Sequence, residues 1–311
     1  MNHRRIGSLS VSEVGLGCNN FGRRLNPTET AGVVKAALDQ GINFFDTADI
    51  YGQGQSEEFL SRALGSDRDG VVIATKFGSE MEGQGKGASP AYIHHAVEES
   101  LRRLRTDRID LYQLHEPDPT VPIEDTLSAL DELVQAGKVR EIGASNFSVA
   151  QLRDAEAAVQ GDAARFVSVQ NEYSLLHREP EEGVLDECER QGLAFLPYFP
   201  LKSGLLTGKY RQGEPPPAGA RISESGGMAN LLSEQNLAIV EELIRFAKAR
   251  GRTILELAFS WLLARPTVAS VIAGATSPTQ VEANAAAVGW RLTEEELAEV
   301  DAITIQGEKT R

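Results

Sequence analysis

Four side chains in the early part of the chain have the types and order needed to move a proton. They are Asp46 and Tyr51 in "NFFDTADIYGQGQSE" (43–57), Lys76 ending "GVVIATK" (70–76) and His115 ending "IDLYQLH" (109–115). A tyrosine with a pKa near ~10 is a poor proton donor or acceptor at neutral pH. A lysine ammonium about 4 Å away, at an effective dielectric of ~20, favours the phenolate by roughly 4 kcal/mol. That is on the order of three pKa units before desolvation acts against it. Asp46 would pair with Lys76, keep it charged and orient it, and His115 would hydrogen-bond a carbonyl oxygen. The set suits polarisation of a substrate C=O with its oxygen protonated by Tyr51. Asp49, in the same segment, is read as a turn former without chemistry.

These residues need strands to deliver them to one place. Strand-like runs lie at 11–17, 42–48, 70–76, 109–115, 141–145, 166–172, 193–199 and 268–274. Helix-like runs lie between them at 28–40, 56–64, 89–105, 123–136, 148–160, 180–191, 233–250, 253–264 and 278–288, and 293–303 closes the chain. Strict alternation implies parallel strands with helical crossovers. An open dinucleotide-binding sheet should show G-x-G-x-x-G after its first strand. The turn here is "GLGCNNFG" (15–22), with Asn20 where the third glycine would stand. The expected fold is therefore an α/β (β/α)8 TIM barrel spanning 1–311 as a single domain, with no linker dividing it.

In a barrel the C-terminal strand ends converge on one mouth. Besides Asp46, Lys76 and His115, they deliver Ser145-Asn146, Gln170-Asn171 and Tyr198. The long Gly/Pro/Ser-rich stretch 202–230 follows the seventh strand and so lies on the same face. With "LLTGKY" and several basic residues, it reads as a clamp rather than a tail.

Bulk properties narrow the partner. The 311 residues carry a net charge of −14, which opposes nucleic acid and anionic membranes. No apolar run approaches membrane-spanning length, and "MNHRRIGSLS" has no apolar stretch behind its basic start. The two cysteines, Cys18 and Cys188, are too few for a disulfide framework and lack metal-ligand spacing. A cytoplasmic protein acting on a small-molecule carbonyl substrate is the expectation, with oligomeric state left open. No metal is expected: H-x-H at an early strand end is absent, and His94, His95 and His177 lack ligand spacing. Trp261 and Trp290 read as packing residues.

Reduction also needs a hydride, which no side chain supplies, so a cofactor is required and nicotinamide is the natural candidate. Tyr198 can stack on its ring, while Ser145, Asn146 and Gln170 can bind its carboxamide. Gly-rich segments after strands seven and eight offer N–H groups to phosphates.

The sequence resembles the aldo-keto reductase family along nearly its whole length, from about Ile6 to Ile303. The resemblance rests on "GLGCNNFG", "NFFDTADIYGQGQSE", "VVIATKFG", "RIDLYQLHEPD", "IGASNFS", "VQNEYSLL", "LPYFPLKSGLLTGKY" and "VIAGATSPTQVEAN". The branch resembled is that of bacterial members and potassium-channel β subunits. The resemblance implies a tetrad of Asp46, Tyr51, Lys76 and His115, with NADP(H) lying across the barrel mouth. By position, the nicotinamide end would meet Cys18, Asn19, Asp46, Ser145, Asn146, Gln170 and Tyr198. The pyrophosphate would meet Phe199, Pro200, Leu201, Lys202 and Ser203, with Lys209 near. The adenosine end would meet Gly274, Ala275, Thr276, Ser277, Gln280 and Asn284.

Three departures from the family pattern bear on the cofactor. "GATSPTQ" (274–280) carries no Lys or Arg for a 2′-phosphate, which leaves Arg221 in the long loop as the candidate cation. Ala283 replaces a frequent glutamate, and Phe199 replaces the usual serine. NADPH is expected, with NADH the alternative. A cofactor-binding redox sensor with little turnover, as channel β subunits resemble, is the competing function.

Overall fold

The computed structural model describes residues 1–83, 85–217, 222 and 230–308. It begins with a feature the strand pattern did not predict. His3–Ile6 (β1) and Leu9–Ser12 (β2) form an antiparallel hairpin, with Ile6 opposite Leu9 across the two-residue turn Gly7-Ser8. Such a turn twists with the strands when its first residue has positive φ, and Gly7 has φ 53°. The hairpin takes the start of the run expected at 11–17. Only Val14–Gly17 (β3) enters the main sheet.

Seven more strands follow: Phe44–Asp46 (β4), Val72–Phe77 (β5), Ile109–Leu114 (β6), Val139–Ser145 (β7), Phe166–Glu172 (β8), Ala194–Tyr198 (β9) and Val271–Gly274 (β10). They pair in parallel in the order β10-β3-β4-β5-β6-β7-β8-β9. The ring closes just before β10. Phe195 N–H donates to Thr267 C=O at 2.7 Å, and Ala269 N–H donates to Phe195 C=O at 3.1 Å. The expected run 268–274 thus divides between this closure and a four-residue strand. The result is a closed (β/α)8 barrel.

Crossover helices surround it: Pro27–Asp39 (α1), Gln55–Leu64 (α2), Pro90–Leu104 (α3), Ile123–Gln135 (α4), Val149–Ala158 (α5), Val184–Gln191 (α6), Glu234–Ala249 (α7), Ile254–Leu263 (α8), Pro278–Ala286 (α9) and Glu294–Glu308 (α10). Their starts are written in the sequence. Asn26 and Glu29 form a reciprocal capping box before α1, and Thr253 and Glu256 do so before α8. The run 180–191 is interrupted at Gly183, φ 131°, which separates a short turn from α6. No described helix is long and apolar enough to cross a membrane.

Side-chain alternation assigns each strand residue to one of two cores. Phe45, Ile73 and Tyr112 face the helices. Phe44, Val72, Ala74, Leu111, Leu196 and Ile272 fill the barrel floor, where Ile6, Leu9 and Val11 of the hairpin plug it. The next residues of the same parity, Asp46, Lys76 and Gln113, are polar. The barrel is apolar below and polar at its C-terminal mouth.

Candidate active site

At that mouth Lys76 is fully buried and Asp46 is 3% exposed. Lys76 Nζ donates to Asp46 Oδ1 at 2.6 Å and to Thr47 C=O at 2.9 Å. An ammonium has three protons to place, and the third faces Tyr51, whose ring centroid lies 5.2 Å from Nζ. Burial alone would lower the Lys76 pKa, but Asp46 and Tyr51 outweigh it and hold it above its ordinary value. The other carboxylate oxygen, Asp46 Oδ2, accepts from Gln170 Nε2 at 2.8 Å and Gln113 Nε2 at 3.3 Å. Gln113 escaped the sequence analysis. Its signal was parity, two residues before His115 on the inward side of β6.

Tyr51 arrives from a tight loop between β4 and α2. Its N–H donates to Ala48 C=O, its C=O accepts from Ser56 N–H, and Gln53 and Gly54 take positive φ. Asp49 does more than turn the chain. Its N–H donates to Lys76 C=O at 3.1 Å, so the loop is tied to β5, and its carboxyl is 2% exposed. Burial, then the charge of Glu57, pushes the Asp49 pKa up to about 7. Tyr51 itself is raised by burial; Lys76 pulls it down and Asp46 pushes it up. The lysine effect expected from the sequence is present, but desolvation prevails and the phenol stays protonated.

His115 stands beside Tyr51, ring centroids 5.9 Å apart at 79°. Burial, then the Lys76 charge, lowers its pKa to about 3, so the imidazole is neutral. Its Nδ1 is buried without a partner. A buried N–H without an acceptor is rarer than a bare lone pair, which favours the proton on Nε2, the nitrogen left to serve the cavity. The His115 carbonyl accepts from Asn146 Nδ2 at 3.0 Å, and Asn146 Oδ1 accepts from Tyr198 OH at 2.8 Å. Ser145 Oγ donates to Gln170 C=O at 2.8 Å.

These side chains open onto one cavity of about 690 Å³. It is lined by Tyr51, His115, Asp46, Asn19, Ser145, Asn146, Gln170 and Tyr198 at one end. Phe199, Pro200, Leu201, Ser203 and Lys209 continue the lining, and Gly274, Thr276, Gln280 and Asn284 complete it. Four expected contacts do not line it: Cys18, Lys202, Ala275 and Ser277. Cys18 is fully buried in the outer core, with its Sγ toward Leu16 C=O, and Ser277 Oγ is engaged capping α9. Arg221 lies outside the described residues. Arg23, Arg24 and Glu116 line the cavity although the sequence did not single them out.

The lining suits an extended, phosphate-bearing ligand. Phe199, Lys202 and Ser203 take positive φ without being glycine, followed by Gly204 at 92°. The Lys202 and Gly204 N–H groups close this turn on the Phe199 and Leu201 carbonyls, each at 2.8 Å, and so fix Ser203 on the cavity wall. Leu205, Leu206 and Tyr210 are buried and anchor this stretch, so the described part of the loop is built into the fold. A Cβ on Gly274 would sit 3.2 Å from Asn19 Oδ1 and 3.4 Å from Asn20 Nδ2, filling the space between the loops. Asn284 is 6% exposed and lines the cavity with its side-chain amide unpaired within the described residues. Among those residues no cluster of His, Cys, Asp or Glu could hold a metal ion.

Comparison with known proteins agrees with this architecture. A sequence profile for the "Aldo/keto reductase family" matches residues 13–305. The aldo-keto reductase YhdN of Bacillus subtilis is 37% identical over 304 residues, covering 95% of this chain and 90% of its own. The structure of the glycerol dehydrogenase AKR11B4 from Gluconobacter oxydans superposes with a TM-score of 0.85 at 33% identity, covering 98% of this chain and 96% of that one. Aldo-keto reductase AKR11C1 from Bacillus halodurans, in its holo form, gives 0.81 at 34% identity, covering 97% and 96%.

Proposed function

The chain belongs to the aldo/keto reductase family, and on that premise we propose that it reduces aldehyde or ketone carbonyls to alcohols with a nicotinamide cofactor, NADPH in preference to NADH. The observation that carries this reading is the protonated Tyr51 phenol at the cavity wall, backed by the buried Lys76–Asp46 pair and flanked by neutral His115. A nicotinamide held there would supply the hydride that no side chain can. A relative of 34% identity in a holo form supports a resident cofactor. Asn19, Ser145, Asn146, Gln170 and Tyr198 would hold its nicotinamide end, Phe199 to Ser203 and Lys209 its pyrophosphate, and Thr276, Gln280 and Asn284 its adenosine.

The side chains divide the remaining work. His115 Nε2–H donates to the substrate oxygen and orients it. Tyr51 OH gives its proton to that oxygen as negative charge develops there. Lys76 stabilises the phenolate left behind, and Asp46 favours the charged form of Lys76 against the opposing effect of burial. Gln113 and Gln170 hold Asp46 in place. The whole chain serves as one catalytic unit. Both cysteines are free, which suits a reducing, cytoplasmic compartment.

The test is spectrophotometric: each cofactor is incubated with enzyme and a panel of aldehydes, ketones, quinones and sugars. Oxidation of NADPH with at least one carbonyl is expected. Tight cofactor binding with no turnover on any of them would favour the redox sensor instead.

A further inference from the structure

The segment Gly274–Gln280, at the expected adenosine end, carries no Lys or Arg. Its one long polar side chain is already engaged: Gln280 Oε1 accepts from Thr276 N–H at 2.8 Å and lies 3.2 Å from Thr276 Oγ1. If the cofactor carries a third phosphate, its counter-charge must come from elsewhere.

The loop after β3 is docked against this segment. Asn20 Nδ2 donates to Ala275 C=O at 3.2 Å. The Asn20 carbonyl accepts from the N–H groups of Arg23, Arg24 and Leu25 at 3.2, 2.9 and 3.0 Å. Phe21, fully buried, and Leu25, 6% exposed, anchor the turn on either side, and Asn26 then caps α1. A turn fixed this tightly sets where its two arginines emerge. Both are exposed, and both line the same cavity as Gly274, Thr276, Gln280 and Asn284. Among the described residues Arg23 has no carboxylate partner. The chain as a whole carries −14, so two adjacent guanidinium groups on a cavity wall run against its overall field.

We propose that Arg23 and Arg24 are the binding site for the 2′-phosphate of NADP(H), and that they set the preference for it over NAD(H). This rests on the nicotinamide reading above and deepens it. A phosphomonoester offers several oxygens to the fixed donor fork of a guanidinium, and Arg suits such recognition better than Lys. Lys209 stands on another wall, its Nζ 2.8 Å from where a Cβ on Gly204 would be, beside the left-handed turn expected to meet the pyrophosphate.

The experiment is equilibrium binding by titration calorimetry of NADPH, NADH and 2′,5′-ADP to the wild type and to Arg23→Gln/Arg24→Gln, with folding checked by circular dichroism. The double variant should weaken NADPH and 2′,5′-ADP at least tenfold and leave NADH within twofold. Its NADPH affinity should also depend less steeply on salt. Arg23→Lys/Arg24→Lys should fall between the two. Equal weakening of NADPH and NADH would place the arginines at the pyrophosphate and overturn the proposal. Unchanged binding of all three ligands would overturn it as well. A wild type that binds neither dinucleotide would defeat the nicotinamide reading itself, a result distinct from a wild type that binds NADPH undiminished by the substitutions.

Discussion

Lys76 Nζ and Asp46 Oδ1 lie 2.6 Å apart inside the barrel, where the lysine has no solvent exposure and Asp46 almost none. Such a pair is no strong source of stability in itself, but removing one partner strands the other. Lys76→Met should therefore act twice. We expect a loss of about 3–5 kcal/mol in denaturant unfolding, together with loss of carbonyl reduction. Lys76→Met unfolding at the wild-type midpoint would show that Asp46 is not left as an uncompensated buried charge.

Asp49 gives a pH-dependent prediction of opposite sense to an ordinary surface acid. Its folded pKa is raised from 3.8 to about 7. Between those values the native state keeps a proton that the unfolded state has lost. The stability this contributes is full below 3.8 and is lost as pH rises through about 7, at roughly 1.4 kcal/mol per pH unit. Asp49→Asn should stabilise the protein at about pH 8 and change it little at about pH 4. Urea midpoints that shift equally at both pH values would refute the assignment.

His115 should be silent in the pH profile of the reaction. With its pKa lowered to about 3 by burial and Lys76, it remains neutral through the range where an exposed histidine titrates. Reduction at saturating cofactor should stay level from about pH 5 to 8, where ordinary histidine would change charge. Tyr51, raised above its ordinary value, should keep its proton across the same range. A step in kcat/KM near pH ~6.5 would mean that His115 ionises normally.

What the sequence disclosed and what it hid follow one physical division. Strand ends are legible because an apolar run that stops at a polar residue marks both an element and an orientation. Asp46, Gln170 and Tyr198 are legible that way and line one cavity, and Lys76, equally legible, lies buried behind it against Asp46. Gln113 was hidden because it sits one inward position before His115, within the run rather than at its end. The β1–β2 hairpin is hidden because "MNHRRIGSLS" reads as a possible leader start and 11–17 as one strand, while the two-residue Gly7-Ser8 turn carries the hairpin signal. Asp49 looked like a turn former because burial is a property of the assembled barrel. Arg23 and Arg24 were passed over for a similar reason: Asn20 docks their turn onto Ala275 across a sequence separation of 255.

In the proposed reaction Tyr51 delivers the proton and does nothing essential for holding the cofactor. Tyr51→Phe keeps the ring, its packing against His115 and the cavity wall, and removes only the hydroxyl. The decisive measurement is single-turnover oxidation of bound NADPH by a good carbonyl substrate, with the NADPH dissociation constant determined on the same preparation. The expected result is a dissociation constant within about twofold of wild type and a rate lowered by roughly 10²–10⁴, the range for loss of a positioned acid. A variant that binds NADPH normally and turns over at the wild-type rate would contradict it.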